Sequence, residues 1–105
     1  MSRSPITTEA DWLHNAHAGE LLAGEFMMPM GLDASRLSQA LDLPPGRLEA
    51  MIAGEQAVDA ELDLRLARYF GLSEGYFMRL QIQYELLEAK RALNGKLDRI
   101  VPRAA

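Results

Sequence analysis

Apolar residues along this chain recur every three or four positions, and nowhere do they alternate with polar ones over the length of a strand. Leu21, Leu22, Phe26 and Met30 share one helical face and predict a helix from about Ala18 to Met28, which Pro29 and Gly31 end. Asp33 is a good N-cap for a second helix from Ala34 to Leu41, with Leu37, Ala40 and Leu41 at i, i+3 and i+4. In "DLPPG", Pro44 drives Leu43 out of the α region and has no N–H of its own. Pro45 then suits the first turn of a helix running to about Ala53, with Leu48, Met51 and Ile52 on its apolar face and Gly54 as its stop. Asp59 caps a further helix with the stripe Leu62, Leu66, Tyr69 and Phe70, closed by Gly71. Ser73 is expected to cap the longest helix, which reaches about Leu93 and stops at "NG". Its stripe is Tyr76/Phe77, Leu80, Tyr84, Leu87 and Ala92. Ahead of these, Thr8 and Asp11 have capping-box spacing and predict a one- or two-turn helix carrying Trp12 and Leu13.

The pattern predicts an all-α domain of five to six helices, with an extension and short helix over 1–16, the main unit over 17–95 and a partly ordered tail over 96–105. A length of 105 residues fits one domain and one modest core. The absence of cysteine excludes disulfides and thiolate zinc sites. No apolar run approaches the ~20 residues of a membrane span, and the polar opening is unlike a signal peptide, so a cytoplasmic location is expected. The net charge of −4 argues against indiscriminate nucleic-acid binding, leaves room for a small basic face, and suits a basic protein partner.

Catalytic chemistry has little to work with. The two histidines, His14 and His17, precede the main helices, and neither a G-x-S-x-G elbow nor a Gly-rich phosphate loop accompanies them. We therefore expect no catalytic residues, no enzyme activity and no cofactor. His14, His17 and Glu20 have i, i+3, i+6 spacing, which could put three metal ligands on one face. Gly19 weakens a helix there and His17 stands where a helix begins, as a cap or surface residue, so no metal is expected. Met27, Met28 and Met30 could form an adaptable binding surface, but sharing a segment with Leu22 and Phe26 favours a core edge.

The informative stretch is "SRLSQALDLPPGRLEAMIAGEQ", Ser35 to Gln56, two short helices about a tight turn. A helix-turn-helix needs a small residue at the crossing and apolar residues at fixed offsets, which Leu37, Ser38, Leu41, Leu43, Leu48 and Met51 supply. Gly46, Arg47, Glu49, Ala50 and Ala53 are then left to enter a major groove. Arg47 can contact guanine bidentately, Arg36 can hold a phosphate, and Ser35 and Gln39 can add polar contacts. Glu49 could accept from cytosine N4 or simply face solvent. A plain helical hairpin in a bundle is the alternative, which the PPG turn and the helix lengths disfavour.

The segment from His17 to about Leu93 resembles the HigA group of antitoxins, in the Xre/Cro-repressor superfamily with its lambda-repressor-type helix-turn-helix. The motifs are "HAGELL…EF…P.GL" (His17 to Leu32), "RL..AL.L" (Arg36 to Leu43), "RL…I.G" (Arg47 to Gly54) and "LRLARYFG.S..YF..LQ..Y.L" (Leu64 to Leu86). The last is the most specific, and the tail "IVPRA" also fits. The resemblance implies the antidote of a type II toxin–antitoxin pair, whose partner is a small basic RelE-like toxin of the HigB type that cuts mRNA on the ribosome. It also implies a dimer that represses its own operon from a palindromic operator. The stripe Tyr76, Phe77, Leu80, Tyr84 and Leu87 is longer than one small core can cover, and is the expected homodimer face. The chain departs from the family at the DNA face. Asp33-Ala34 replace Ser-Gln, Asp42 replaces the turn glycine, Pro45-Gly46 replace a Ser or Thr cap, and Glu55-Gln56 stand where Lys-Arg is common. About two or three phosphate contacts are lost, so affinity should fall and the salt slope flatten. A regulator without a toxin and an interaction-only module are the alternative readings.

Overall fold

A histidine ring opens the first helix. Nδ1 of His17 accepts from the N–H groups of Gly19 (3.1 Å) and Glu20 (3.3 Å), and the Glu20 carboxylate accepts from the His17 N–H (3.2 Å). This reciprocal capping box satisfies donors that a helix end leaves bare. The structure, a computed structural model, describes residues 14–104, so the helix expected around Thr8, Asp11, Trp12 and Leu13 lies outside the described residues.

The described residues form five helices. Helix α1 spans residues 18–30 in three stretches: α-helix Ala18–Leu21, a wider π-helix Leu22–Met27, and α-helix Met28–Met30. It runs past Pro29, where the sequence predicts its end. The wider π turns lead directly into the proline, and the last N–H before it, that of Met28, reaches back five residues to the Ala23 carbonyl. The methionines divide, with Met27 in the core and Met28 and Met30 exposed.

Helices α2 (Ala34–Ala40) and α3 (Arg47–Ile52) follow, then α4 (Ala60–Phe70) and α5 (Tyr76–Leu93), with a 3-10 turn at Lys96–Arg99. Asp33 caps α2, accepting from the Arg36 N–H at 2.8 Å, and Asp59 caps α4 through Leu62 at 2.9 Å, both as expected. Asp42 takes the left-handed turn conformation (φ 57°) that it tolerates better than most residues. Two helix starts differ from expectation. Helix α3 begins at Arg47, because Gly46 is left-handed (φ 85°) and Pro45 stays in the turn before it. Helix α5 begins at Tyr76, and its cap comes from α4: buried Asp63 accepts from the N–H groups of Gly75 (2.6 Å), Phe77 (2.8 Å) and Met78 (3.1 Å). Ser73 instead accepts from the Arg79 guanidinium at 3.0 Å.

Leu22, Leu37, Leu48, Met51, Leu62, Leu66 and Phe77 form one continuous core to which every helix contributes. Tyr69, expected on the stripe of α4, is exposed. Among the described residues all regular structure is helical, and no helix is long and apolar enough to cross a membrane.

Candidate nucleic-acid interface

The two short helices α2 and α3 meet across Leu37, Ser38, Leu41, Leu48 and Met51, all buried, with Leu43 half-buried in the turn. A third element holds the end of α2. Arg65 on α4 donates through Nη1 to the carbonyls of Leu41 (2.7 Å) and Asp42 (3.3 Å), and through Nη2 to Glu61 (2.8 Å). A cation thus sits on the carbonyl end of α2, where the helix dipole favours it. Nothing local announces this role. The sequence offers an i, i+4 Glu61–Arg65 pair, but the carbonyl it caps lies 24 residues away.

Helix α3 is also held from behind. Gly19 of α1 lies against its last turn so closely that a Cβ there would run into the Met51 carbonyl. These contacts settle which face of α3 points outward. Leu48 and Met51 face the core, so Gly46, Glu49 and Ala53 point away from it, with half-buried Ala50 beside them. On α2, Ser35, Arg36 and Gln39 are exposed. Ser35, Gln39, Gly46 and Glu49 line one concavity of about 220 Å³ between the helices, together with Ser38, Leu43 and Pro45. Arg36 is 83% exposed and stands 3.8 Å from Asp33, a loose surface pair that holds the guanidinium weakly.

Arg47 is the exception among the expected DNA contacts. Its side chain is only 12% exposed; Nη2 donates to the Ala57 carbonyl at 2.9 Å and lies 3.8 Å from Asp59. The reason is periodicity: Arg47 precedes Met51 by four residues, so it shares the buried flank of α3 and finds its partners in the following loop. The outward face of α3 therefore carries no cation, and the loop after it presents exposed Glu55 and Gln56.

Part of the stripe expected to pair two copies is taken up by the fold itself. Phe77 is fully buried, Tyr76 and Leu80 pack half-buried against the core, and the Tyr84 ring meets His17 edge-on at 5.8 Å. Leu87 is half-buried. Asp63 and α1 hold this face, with Gln81 accepting from the Ala18 N–H at 3.3 Å. The exposed large apolar residues of α5 are Ile82 and Leu86, one turn apart, and beyond it Leu97, Ile100 and Val101. At the head of α1, Glu20 lies between His14 (3.3 Å) and His17 (3.6 Å), but no cluster among the described residues could hold a metal ion.

No family model matches the chain. It is 36% identical over 75 residues to virulence-associated protein I of Dichelobacter nodosus, a match covering 71% of this chain and 69% of that protein. Its structure resembles a Pseudomonas aeruginosa protein solved in complex with its operator DNA, with TM-score 0.81 and 29% identity over 89% of this chain and 99% of that one. It also resembles the Pseudomonas aeruginosa antitoxin HigA solved with the higBA promoter, with TM-score 0.77 and 26% identity over 88% of this chain and 100% of that one.

Proposed function

The chain belongs to the HigA family of helix-turn-helix antitoxins, and on that footing we propose that it neutralises a small basic RelE-like toxin of the HigB type and, as a homodimer, represses its own operon from a palindromic operator. Like its relatives it is not an enzyme. The observation that carries the DNA half of this reading is the concavity that Ser35, Gln39, Gly46 and Glu49 line, with Arg36 exposed on α2 and Ala50 half-buried on α3, on a frame shaped like those solved with operator or promoter DNA. A net charge of −4 supports the toxin half, since complementary potentials favour a basic partner. Ile82 and Leu86 support a dimer through the outer face of α5, and two-fold symmetry would set the paired α3 helices roughly 34 Å apart, one turn of DNA. The protein would act in the cytoplasm.

A second reading has its own observation. With Arg47 turned inward and Glu55-Gln56 beyond α3, the DNA face is poor in cations, which favours a module that binds its toxin alone. Co-expression with the product of the adjacent gene, followed by pull-down and by fluorescence anisotropy on DNA from the chain's own promoter, decides between them. Capture of a basic partner and salt-sensitive DNA binding support the first reading. Capture without DNA binding at low salt supports the second, and DNA binding without capture makes the chain a regulator without a toxin.

A further inference from the structure

Glu49, and not Arg47, is the side chain that the helix-turn-helix aims outward from α3, and we propose that it reads the exocyclic amino group of a base, cytosine N4 or adenine N6, in the major groove. The inference rests on the operator-binding reading above. The burial of Leu48 and Met51 fixes the rotation of α3, and on its far side only Gly46, Glu49 and Ala53 point away from the protein. Of these, Glu49 alone carries hydrogen-bonding chemistry in its side chain. An ionised carboxylate accepts and cannot donate.

Major-groove edges offer donors only at cytosine N4 and adenine N6, whereas guanine presents the acceptors N7 and O6. A carboxylate therefore selects amino-bearing edges and rejects guanine by setting acceptor against acceptor. The alanine methyls at Ala50 and Ala53 suit a thymine methyl. The concavity beside Glu49 is built for a polar group. Ser35 and Gln39 line it with Glu49, and so does Ser38, which is 8% exposed and whose hydroxyl has no hydrogen-bond partner. Arg47, tied to Ala57 and Asp59, instead positions the loop that follows α3.

The test uses promoter DNA in which single cytosines are replaced by 2-pyrimidinone, or single adenines by purine, each lacking only the amino group. Wild type should lose about tenfold in affinity at one position of each half-site, and whether that position holds cytosine or adenine identifies the base. The analogue also loses a hydrogen bond within its base pair, a cost that Glu49→Ala shares. Glu49→Ala should therefore bind parent and analogue DNA with a much smaller difference, and Glu49→Gln should move preference toward adenine. Arg47→Ala should weaken all sequences alike. The inference is overturned if tightly bound wild type is insensitive to every amino deletion, if Glu49→Ala keeps the full loss, or if Arg47→Ala selectively erases a guanine preference. In each of these cases operator binding itself stands, whereas a wild type that binds no promoter DNA overturns both.

Discussion

Arg47 and Asp63 show how much a single side chain's meaning depends on what surrounds it. Arg47 looks like a base reader in the sequence and serves as a brace in the structure, donating at 2.9 Å to a carbonyl ten residues on. Its ion pair with Asp59, which is 64% exposed, adds little in solvent, so the carbonyl bond and the packed stem carry its contribution. Arg47→Ala should lower stability by about 1–3 kcal/mol, read as a fall in the denaturant midpoint. Asp63 is 2% exposed and gives its two oxygens to three backbone N–H groups at the head of α5. Removing it strands those donors, and Asp63→Ala should cost about 2–4 kcal/mol, with Asp63→Asn costing less because one acceptor oxygen remains. Urea titrations of the two variants check the order, and equal losses would mean that the remaining amide oxygen contributes nothing and the intact carboxylate is required.

At the scale of elements, α5 has two faces with different work. The face of Phe77, Gln81 and Tyr84 seats the helix on α1 and α4, while Ile82 and Leu86 face solvent one turn apart. In the proposed dimer the second face joins the two copies, since Phe77 on the first is taken up by the core. Leu86→Glu should therefore yield a folded monomer by light scattering with an unchanged helical circular dichroism spectrum. Phe77→Ala should act on the fold itself, at a cost of about 3–5 kcal/mol. A Leu86→Glu protein that remains a dimer at tens of micromolar would rule out this face. Helix α1 has no such spare surface at Gly19, where backbone meets the backbone of α3.

Over the whole molecule, charge is unevenly shared. Residues 90–104 carry Lys90, Arg91, Lys96, Arg99 and Arg103 against Asp98 alone, so the rest of the chain is more acidic than the net −4 suggests. On the proposed DNA face the one exposed arginine is Arg36, so DNA would approach an acidic body there. Arg36→Ala should weaken binding to all sequences alike and flatten the salt slope by about one. Glu55→Lys should strengthen binding by adding a phosphate contact and removing a repulsion. Anisotropy at several salt concentrations measures both, and an unchanged slope in Arg36→Ala would show that this arginine touches no phosphate.

The sequence by itself determined the helices, because local rules act over three or four residues: periodic leucines, the caps at Asp33 and Asp59, the breaks at Gly71 and Asn94-Gly95. It determined the family, through strings of residues that specify one fold, and it singled out Ser35, Gln39 and Glu49, which the fold brings to one concavity. Tertiary structure alone decided that Asp63 caps α5 in place of Ser73, that Arg65 closes the end of α2, and that Arg47 faces the loop beyond α3. It also decided that Phe77 belongs to the core rather than to a second copy. Each of these joins residues ten or more apart along the chain, where no local propensity acts. A polar or aromatic side chain takes the partner that folding brings within about 3–4 Å, and only the packed helices say which partner that is.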